Sequence, residues 1–279
     1  MVAIHYTDTG AGVRIGALSR LLTQAAFAAL EAPSIQNTQP WRWRINENQA
    51  ELYADRARQL MDTDPDGRLL LISCGAAVHH AAIALSAEGL GVAVIHFPDP
   101  GNPDLLAVLR YIRPITRSLA AERLRRAIAV RRSDQRPFAD RPVPDEQIEL
   151  LRGAAETAGA DLHVLEADDV VGTADRHARH MVITARGDLP VHWLMAGEAL
   201  SAVLLTATAA GLATSSLSDA GGIVRPDALR RVLAGADRPA AVVRIGVAGR
   251  VDVPPRPIHR PTAEVVEVVA YPAGPEVFP

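Results

Sequence analysis

The sequence predicts a fold of mixed helices and strands in which one order of elements occurs twice. Three observations carry that expectation. The order helix, two strands, long apolar helix, strand runs through the first half of the chain and returns in the second. The long helices superimpose at a constant offset of 122, with Gly75 falling on Gly197, Ala77 on Ala199, Ala87 on Ala209, Gly89 on Gly211 and Leu90 on Leu212. Alanine and leucine matches mean little in such helices, but two glycines at one offset, one inside and one ending each helix, mark an internal duplication. Finally, each half keeps a polar motif that the other lacks. APSIQN at Ala32 is answered only by AAETAG near Ala155, and RRSDQRPF from Arg131 only by TGAG near Thr9. Two equivalent sites that each needed both motifs across an interface have been reduced to one.

Taken in order, Ser19 to Glu31 (SRLLTQAAFAALE) is expected to form an amphipathic helix capped by Ser19 and stopped at Pro33. The next stretch, APSIQNTQPWRWRI, admits neither a long helix nor an uninterrupted central strand, because Pro33 and Pro40 both lie inside it. WRWRI and AELYA around NENQ form a hairpin pattern, with Trp41 anchoring the strand it opens. Leu69 to Glu88 is a long buried helix ending at Gly89, and GVAVIHF is a strand closed by Pro98.

In the second half, Glu146 to Ala158 is a helix, DLHVL and HMVITA are strands, and Val191 to Ala210 is a long helix ending at Gly211 before the strand LATSSL. Gly75 and Gly197 are expected to let the two long helices pack closely. Residues 1–17 are expected as a flexible lead-in, 18–122 as the first repeat and 123–279 as the second with a C-terminal extension, in one intertwined globular unit.

The chain's 279 residues are ample for a sizeable core. Its 29 Lys+Arg against 32 Asp+Glu exclude a general nucleic-acid or membrane-surface binder. The single cysteine, Cys74, excludes an intrachain disulfide and fits a reducing cytoplasm, and no secretory signal is read at the N-terminus. The most membrane-like segment, Ala199 to Leu217, is broken by Ser201, Thr206, Thr208 and Gly211, which suits a helix buried between other helices. A soluble protein is expected, with no membrane or nucleic-acid partner.

Other motifs carry less. Asp62, Asp64 and Asp66 before Gly67 imitate a calcium loop, but position twelve is Ser73 and Pro65 sits among the ligands. An Asx-rich turn capping the helix at Leu69 accounts for them. His79 and His80, adjacent on a helix, diverge by about 100° and do not suit a shared metal. His177 and His180 with Asp175 lack a third strong ligand, so no metal is expected. No G-x-G-x-x-G opens a helix and no nucleophile elbow is present, so neither a separate nicotinamide domain nor a Ser/His/Asp hydrolase is indicated.

Five blocks, APSIQNTQPWRW, CGAAVHHAAIAL, AVRRSDQRPFADRPVP, MAGEALSAVLLTATAAGLATSSL and VVRIGVAG followed by PIHRPTAEVV, together resemble the nitroreductase superfamily, specifically its internally duplicated, mycobacterial Acg-type branch. The resemblance implies an α+β, nitroreductase-like fold with FMN at a subunit interface, and in the duplicated branch one chain resembles a nitroreductase dimer. By that resemblance Arg131, Arg132 and Ser133 hold the flavin phosphate and ribityl side, helped by Arg260 and His259. Pro33, Ser34, Asn37 and Gln39 lie against the isoalloxazine from the other half. Physical chemistry agrees: arginine forks suit a phosphate dianion, prolines fix a turn against a flat ring, and Asn37 both donates and accepts. The bland reading of the arginines, a solvated basic run such as RRAIAVRR, stays open on charge alone.

Two departures bear on function. Gln135 stands where superfamily members carry an arginine, and Arg136 comes one residue later. A cation at the flavin N1/O2 edge stabilises reduced anionic flavin, so its displacement either lowers the potential or moves the contact to Arg136. The branch also carries a long insertion where this chain has only EADDVVGTADRHAR, Glu166 to Arg179, which implies an open site or weaker FMN retention. The implied activity is hydride transfer from NADH or NADPH to FMN, then two-electron reduction of a small-molecule acceptor such as a nitroaromatic or quinone. No catalytic side chain is required. The alternative is a protein that binds and sequesters FMN with little turnover. The internal pseudo-dimer is expected to be a monomer, with further dimerisation open.

Overall fold

Two apolar helices of 20 residues cross at the centre of the computed structural model, which describes residues 16–170, 177–217, 224–233, 238–249 and 254–269. The first part of the chain forms α1 (Ala17–Ala29), β1 (Trp41–Ile45), β2 (Gln49–Ala54), α2 (Arg68–Ala87), β3 (Leu90–His96) and β4 (Leu105–Pro114). There follow α3 (Leu119–Val130), α4 (Asp145–Thr157), β5 (Asp161–Val164), β6 (Arg179–Ala185), α5 (Pro190–Ala209) and β7 (Leu212–Leu217), then α6 (Pro226–Val232), β8 (Arg238–Val247), α7 (Thr262–Val265) and β9 (Val266–Val268).

One sheet, in the order β3-β4-β2-β1-β9, packs on α2, and a second, β5-β6-β8-β7, packs on α5. All neighbouring strands are antiparallel except β1 and β9, which pair in parallel from Trp43 opposite Val266. The chain's end thus completes the sheet begun by its start, and α3 runs across residue 122, so no clean cut separates the two parts. This is the expected α+β arrangement.

Helices α2 and α5 are apolar around most of their circumference because each is covered on several sides. Both are long and apolar enough to cross a membrane, yet 72% of the apolar window of α2 and 67% of that of α5 is buried within the fold, as in core helices. Their crossing depends on glycine. A Cβ on Gly75 would lie 1.9 Å from the Leu194 carbonyl oxygen, and one on Gly197 would lie 2.0 Å from that of Ile72. The two contacts are reciprocal, since Ile72 precedes Leu194 by the same interval as Gly75 precedes Gly197.

Several expectations need correction. Ser19 does not cap α1: the helix starts at Ala17 after Gly16, and Ser19 is buried inside it, its carbonyl accepting from Thr23 Oγ1 at 2.8 Å. The expected lead-in therefore gives way to helix at its last residue, while residues 1–15 lie outside the described residues. The segment Ala199–Leu217 is divided between the end of α5 and β7, as the helix end at Gly211 and the strand LATSSL led one to expect. His180 is a buried strand residue in β6 and His177 pairs with Asp140 at 3.2 Å, while Asp175 lies outside the described residues. His79 and His80 converge on one partner: their Nδ1 atoms lie 2.7 and 2.8 Å from Ser201 Oγ on α5, which reaches between both rings.

The Asx turn is as expected. Asp64 is buried, and its two carboxylate oxygens accept from the backbone N–H groups of Leu69 and Leu70 at 3.0 and 2.9 Å, satisfying the free donors that open α2. Trp41 and Trp43 are fully buried on one face of β1, which alternates buried and exposed residues.

Candidate functional site

The turn between α1 and β1 holds an unusual backbone. Gln36, Asn37 and Gln39 adopt left-handed φ values of 45°, 57° and 47°. For residues with a Cβ each costs about 1 kcal/mol or more, so surrounding bonds must hold the turn in place. Ser34 Oγ accepts from Gln39 N at 3.0 Å, and Ser73 Oγ on α2 accepts from Ile35 N at 3.1 Å while donating to Leu69 O.

A strap from the far end of the chain closes the turn. Asn37 Nδ2 and Gln39 Nε2 both donate to the Ile258 carbonyl, at 2.8 and 3.1 Å, and Gln39 Oε1 accepts from Arg260 N at 2.9 Å. Arg260 Nη1 donates to the carbonyls of Gln39 and Trp41 at 2.9 and 3.1 Å, and Nη2 lies 3.3 Å from Asp55. Gln39 therefore spends both ends of its amide inside the chain, which explains its burial.

Beside this turn, at the end of α1, a cationic cluster gathers on Glu31. His259 lies 3.4 Å from the Glu31 carboxylate and donates through Nδ1 to Leu30 O at 2.7 Å, and Arg256 pairs with the same carboxylate. Arg131, at the end of α3, reaches the Glu31 backbone carbonyl with Nη2 at 3.5 Å. It is only 6% exposed, and its Nε has no hydrogen-bond partner among the described residues. Burial first, and then the neighbouring Arg132, push its pKa down to about 10, against an opposing pull from Glu31. Arg132 Nη1 donates to the Arg131 carbonyl at 2.6 Å.

The rest of the RRSDQRPF motif turns the other way. Ser133 bridges to Thr214 of β7, and the side chains of Ser133 and Gln135 are exposed. Arg136 is gripped at both nitrogens by Asp134, Nε to Oδ1 and Nη2 to Oδ2, each at 2.9 Å. That bond is the main reason the Asp134 carboxyl lies below its usual range. Arg244 on β8 donates to the carbonyls of Asp134 and Arg136 and lies 4.2 Å over the Phe138 ring, fixing the loop.

The structure thus brings Asn37, Gln39 and Arg260 together, turns His259 of the same strap onto Leu30 and Glu31, and sets Arg131 and Arg132 beside them. Pro33 and Ser34 face Ser73 on α2, Leu200 on α5 and Ser216 on β7 across a small gap of ≈ 40 Å³, so the turn meets elements from the chain's second part. Arg256 and Glu31 were missed from the sequence, although Arg256 stands in the same PRPIHRP run as His259 and Arg260. Arg136 lies apart, occupied by Asp134.

No family model matches the chain. Two proteins of Mycobacterium tuberculosis provisionally named NAD(P)H nitroreductases are similar to it. One, Rv3131, is 32% identical over 310 residues, covering 88% of this chain and 89% of the relative. The other, named acg, is 30% identical over 319 residues, covering 90% and 96%. The 310 aligned positions outnumber the chain's 279 residues, so that relative carries residues with no counterpart here. Among solved structures, a protein from Desulfovibrio desulfuricans provisionally described as a nitroreductase in complex with FMN matches with 22% identity and a TM-score of 0.40. It covers 53% of this chain and 98% of its own, a likeness too distant to carry a conclusion.

Proposed function

Since the chain belongs to the Acg-type family of NAD(P)H nitroreductases, we propose that it is an FMN-dependent oxidoreductase using NADH or NADPH to reduce a nitroaromatic or quinone-like acceptor. The observation that carries this reading is Arg131. A buried guanidinium with an unmade charge-assisted bond is costly unless an anion outside the chain completes it, and a flavin phosphate is such an anion. The surrounding donors fit the group: Arg132 stands next to it, and His259 and Arg256 lie within the same cluster on Glu31.

Bound FMN supplies the two-electron chemistry, so the chain need contribute no acid, base or nucleophile of its own. In this reading Arg131 and Arg132 hold the phosphate, Ser133 is turned from it toward β7, and Arg260 and His259 anchor the strap that closes over the turn. Pro33 fixes the backbone against the ring, and Ser34, whose oxygen already accepts from Gln39, keeps its hydroxyl proton to donate. Asn37 stays at the rim, while Gln39 acts by positioning Arg260. Arg136 stands apart from the cradle, held by Asp134, and Gln135 is exposed beside it.

The chain is further read as an internal duplication, with one composite site, acting as a cytoplasmic monomer. The reciprocal glycine contacts at one constant offset support the duplication. One FMN per chain is the expected stoichiometry, and two would show that the degenerate half still binds.

One observation favours the rival reading, FMN sequestration with little turnover: Arg136 is held at both nitrogens by Asp134, and Gln135 brings no cation in its place. Anaerobic absorbance of the FMN-loaded protein separates the two. Bleaching by NADH or NADPH within ordinary turnover times supports the reductase; a flavin that binds but stays yellow supports sequestration. The double variant Arg131→Ala, Arg132→Ala should release FMN, and retention of tight binding would sink the phosphate assignment.

A further inference from the structure

We infer that the cleft between α2, α3, α4 and α5 is a second ligand site, separate from the arginine cluster, for an amphiphilic organic cation. The cleft has a volume of ≈ 1200 Å³ and shares no lining residue with the turn or the strap. That is room for a ligand of several rings. Its walls are chiefly apolar, with Ile83 from α2, Leu124 from α3, Leu150 from α4 and Ala202 from α5. Leu150 is 60% exposed, a large apolar side chain left facing water at the mouth.

The charged lining has one sign. Among the described residues it consists of Asp145, Glu146, Glu149 and Glu198, with no lysine or arginine. Asp145 and Glu146 stand in the first turn of α4, where the helix's positive end offsets part of their charge, and Glu149 has Arg152 at 3.5 Å. Glu198, within α5, is the decisive group. Its side chain is mostly buried, only 15% exposed, and its Oε1 accepts from His96 Nε2 at 2.6 Å, which leaves Oε2 to meet a ligand. His79, the remaining titratable group of the lining, does not reverse the sign, because burial pushes its pKa down to about 4 and keeps it neutral, and Thr157 and Thr206 are uncharged.

An apolar body resting on Ile83, Leu124, Leu150 and Ala202, with a cation at Glu198, satisfies both halves of this lining. A delocalised cation suits it best, since it loses less hydration than a compact ammonium on entering. The same acidity disfavours a phosphate, so a second flavin does not fit here.

The test uses the full-length, FMN-loaded chain and the cationic dye rhodamine 6G, followed by fluorescence anisotropy, with anionic fluorescein for comparison. Rhodamine 6G should bind one dye per chain and fluorescein should not. Glu198→Gln should weaken binding by about tenfold. Gly153→Trp should abolish it: a Cβ at Gly153 meets nothing within 4 Å and the residue lines the cleft, so the indole enters the cleft instead of the core. Unchanged FMN content and melting temperature establish that each variant is folded. Absence of rhodamine binding, equal binding of both dyes, or binding indifferent to Gly153→Trp would overturn the assignment.

Discussion

Substituting Gly75 by alanine adds one methyl group at the tightest place in the fold. The new Cβ would lie 1.9 Å from the Leu194 carbonyl oxygen and 2.9 Å from its carbon. The obstacle is helix backbone, which cannot rotate aside as a side chain does, so α2 and α5 must part by well over an ångström. Overpacking of this kind costs about 1–3 kcal/mol, and rigid backbone on both sides puts the cost at the upper end. Alanine returns about 1 kcal/mol of helix propensity, leaving a net loss of about 2 kcal/mol. For a chain of this size that lowers the melting midpoint by about 4–8 °C.

Gly197→Ala, whose Cβ meets Ile72 O at 2.0 Å, should cost the same, and the double variant less than the sum, since helices parted once admit the second methyl. FMN content should also fall, because Ser73, next to Ile72, holds the Ile35 end of the turn. Thermal unfolding followed by circular dichroism decides the matter, with Gly153→Ala as the control. That site has open space around its Cβ and should gain about 0.5–1 kcal/mol. If Gly75→Ala is as stable as Gly153→Ala, the close crossing of the helices is refuted.

Acid should destabilise the protein before its carboxylates titrate. His79 is depressed to about 4 by burial, so the unfolded chain binds more protons between that value and the ordinary 6.5, and stability falls as pH drops through this window, by about 3 kcal/mol in all. His80 is depressed for the same reason, whereas His96, raised chiefly by its bond to Glu198, contributes stability below its ordinary pKa that is lost as pH rises through the raised one. Urea titrations from pH 7 to 4.5 should show a shallower acid decline in His79→Gln, and an unaltered slope would exclude His79 as the cause. Asp64→Ala removes two buried acceptors from the start of α2 and should cost about 2 kcal/mol in urea unfolding, while Asp62→Ala and Asp66→Ala, both exposed, should stay within about 0.5 kcal/mol. Gln39→Ala removes the side-chain bonds of residue 39 to Ile258 and Arg260, leaving only Asn37 and the backbone carbonyls to hold the strap, and should weaken FMN binding by about tenfold in equilibrium dialysis. An unchanged affinity would remove the strap from the cradle.

What the sequence determined by itself was local or periodic. The hairpin of WRWRI and AELYA, the long helices ending at Gly89 and Gly211, and the Asx turn at Asp64 were all legible, because each depends on residues within a few positions of one another. Glycines in register at 75 and 197 also announced the helix crossing, since few other demands put glycine in the middle of an apolar helix. Elements with mixed patterns were not legible: β4 loses its apolar run to Arg110 and Arg113, and α3, dense in arginine, reads as a solvated basic run.

Only the tertiary structure decided which polar residues meet. It made Gln39 a structural lock by bringing Ile258 and Arg260 from 219 and 221 positions away, and it occupied Arg136 with Asp134. It gathered Arg131, Arg256 and His259 on Glu31, and it turned His79 and His80 onto one serine. The acidic cleft likewise draws its lining from four helices separated in the chain. Hydrogen-bond partners at such separations leave no periodicity in the sequence, because their pairing is set by how the helices cross and where the final strand docks.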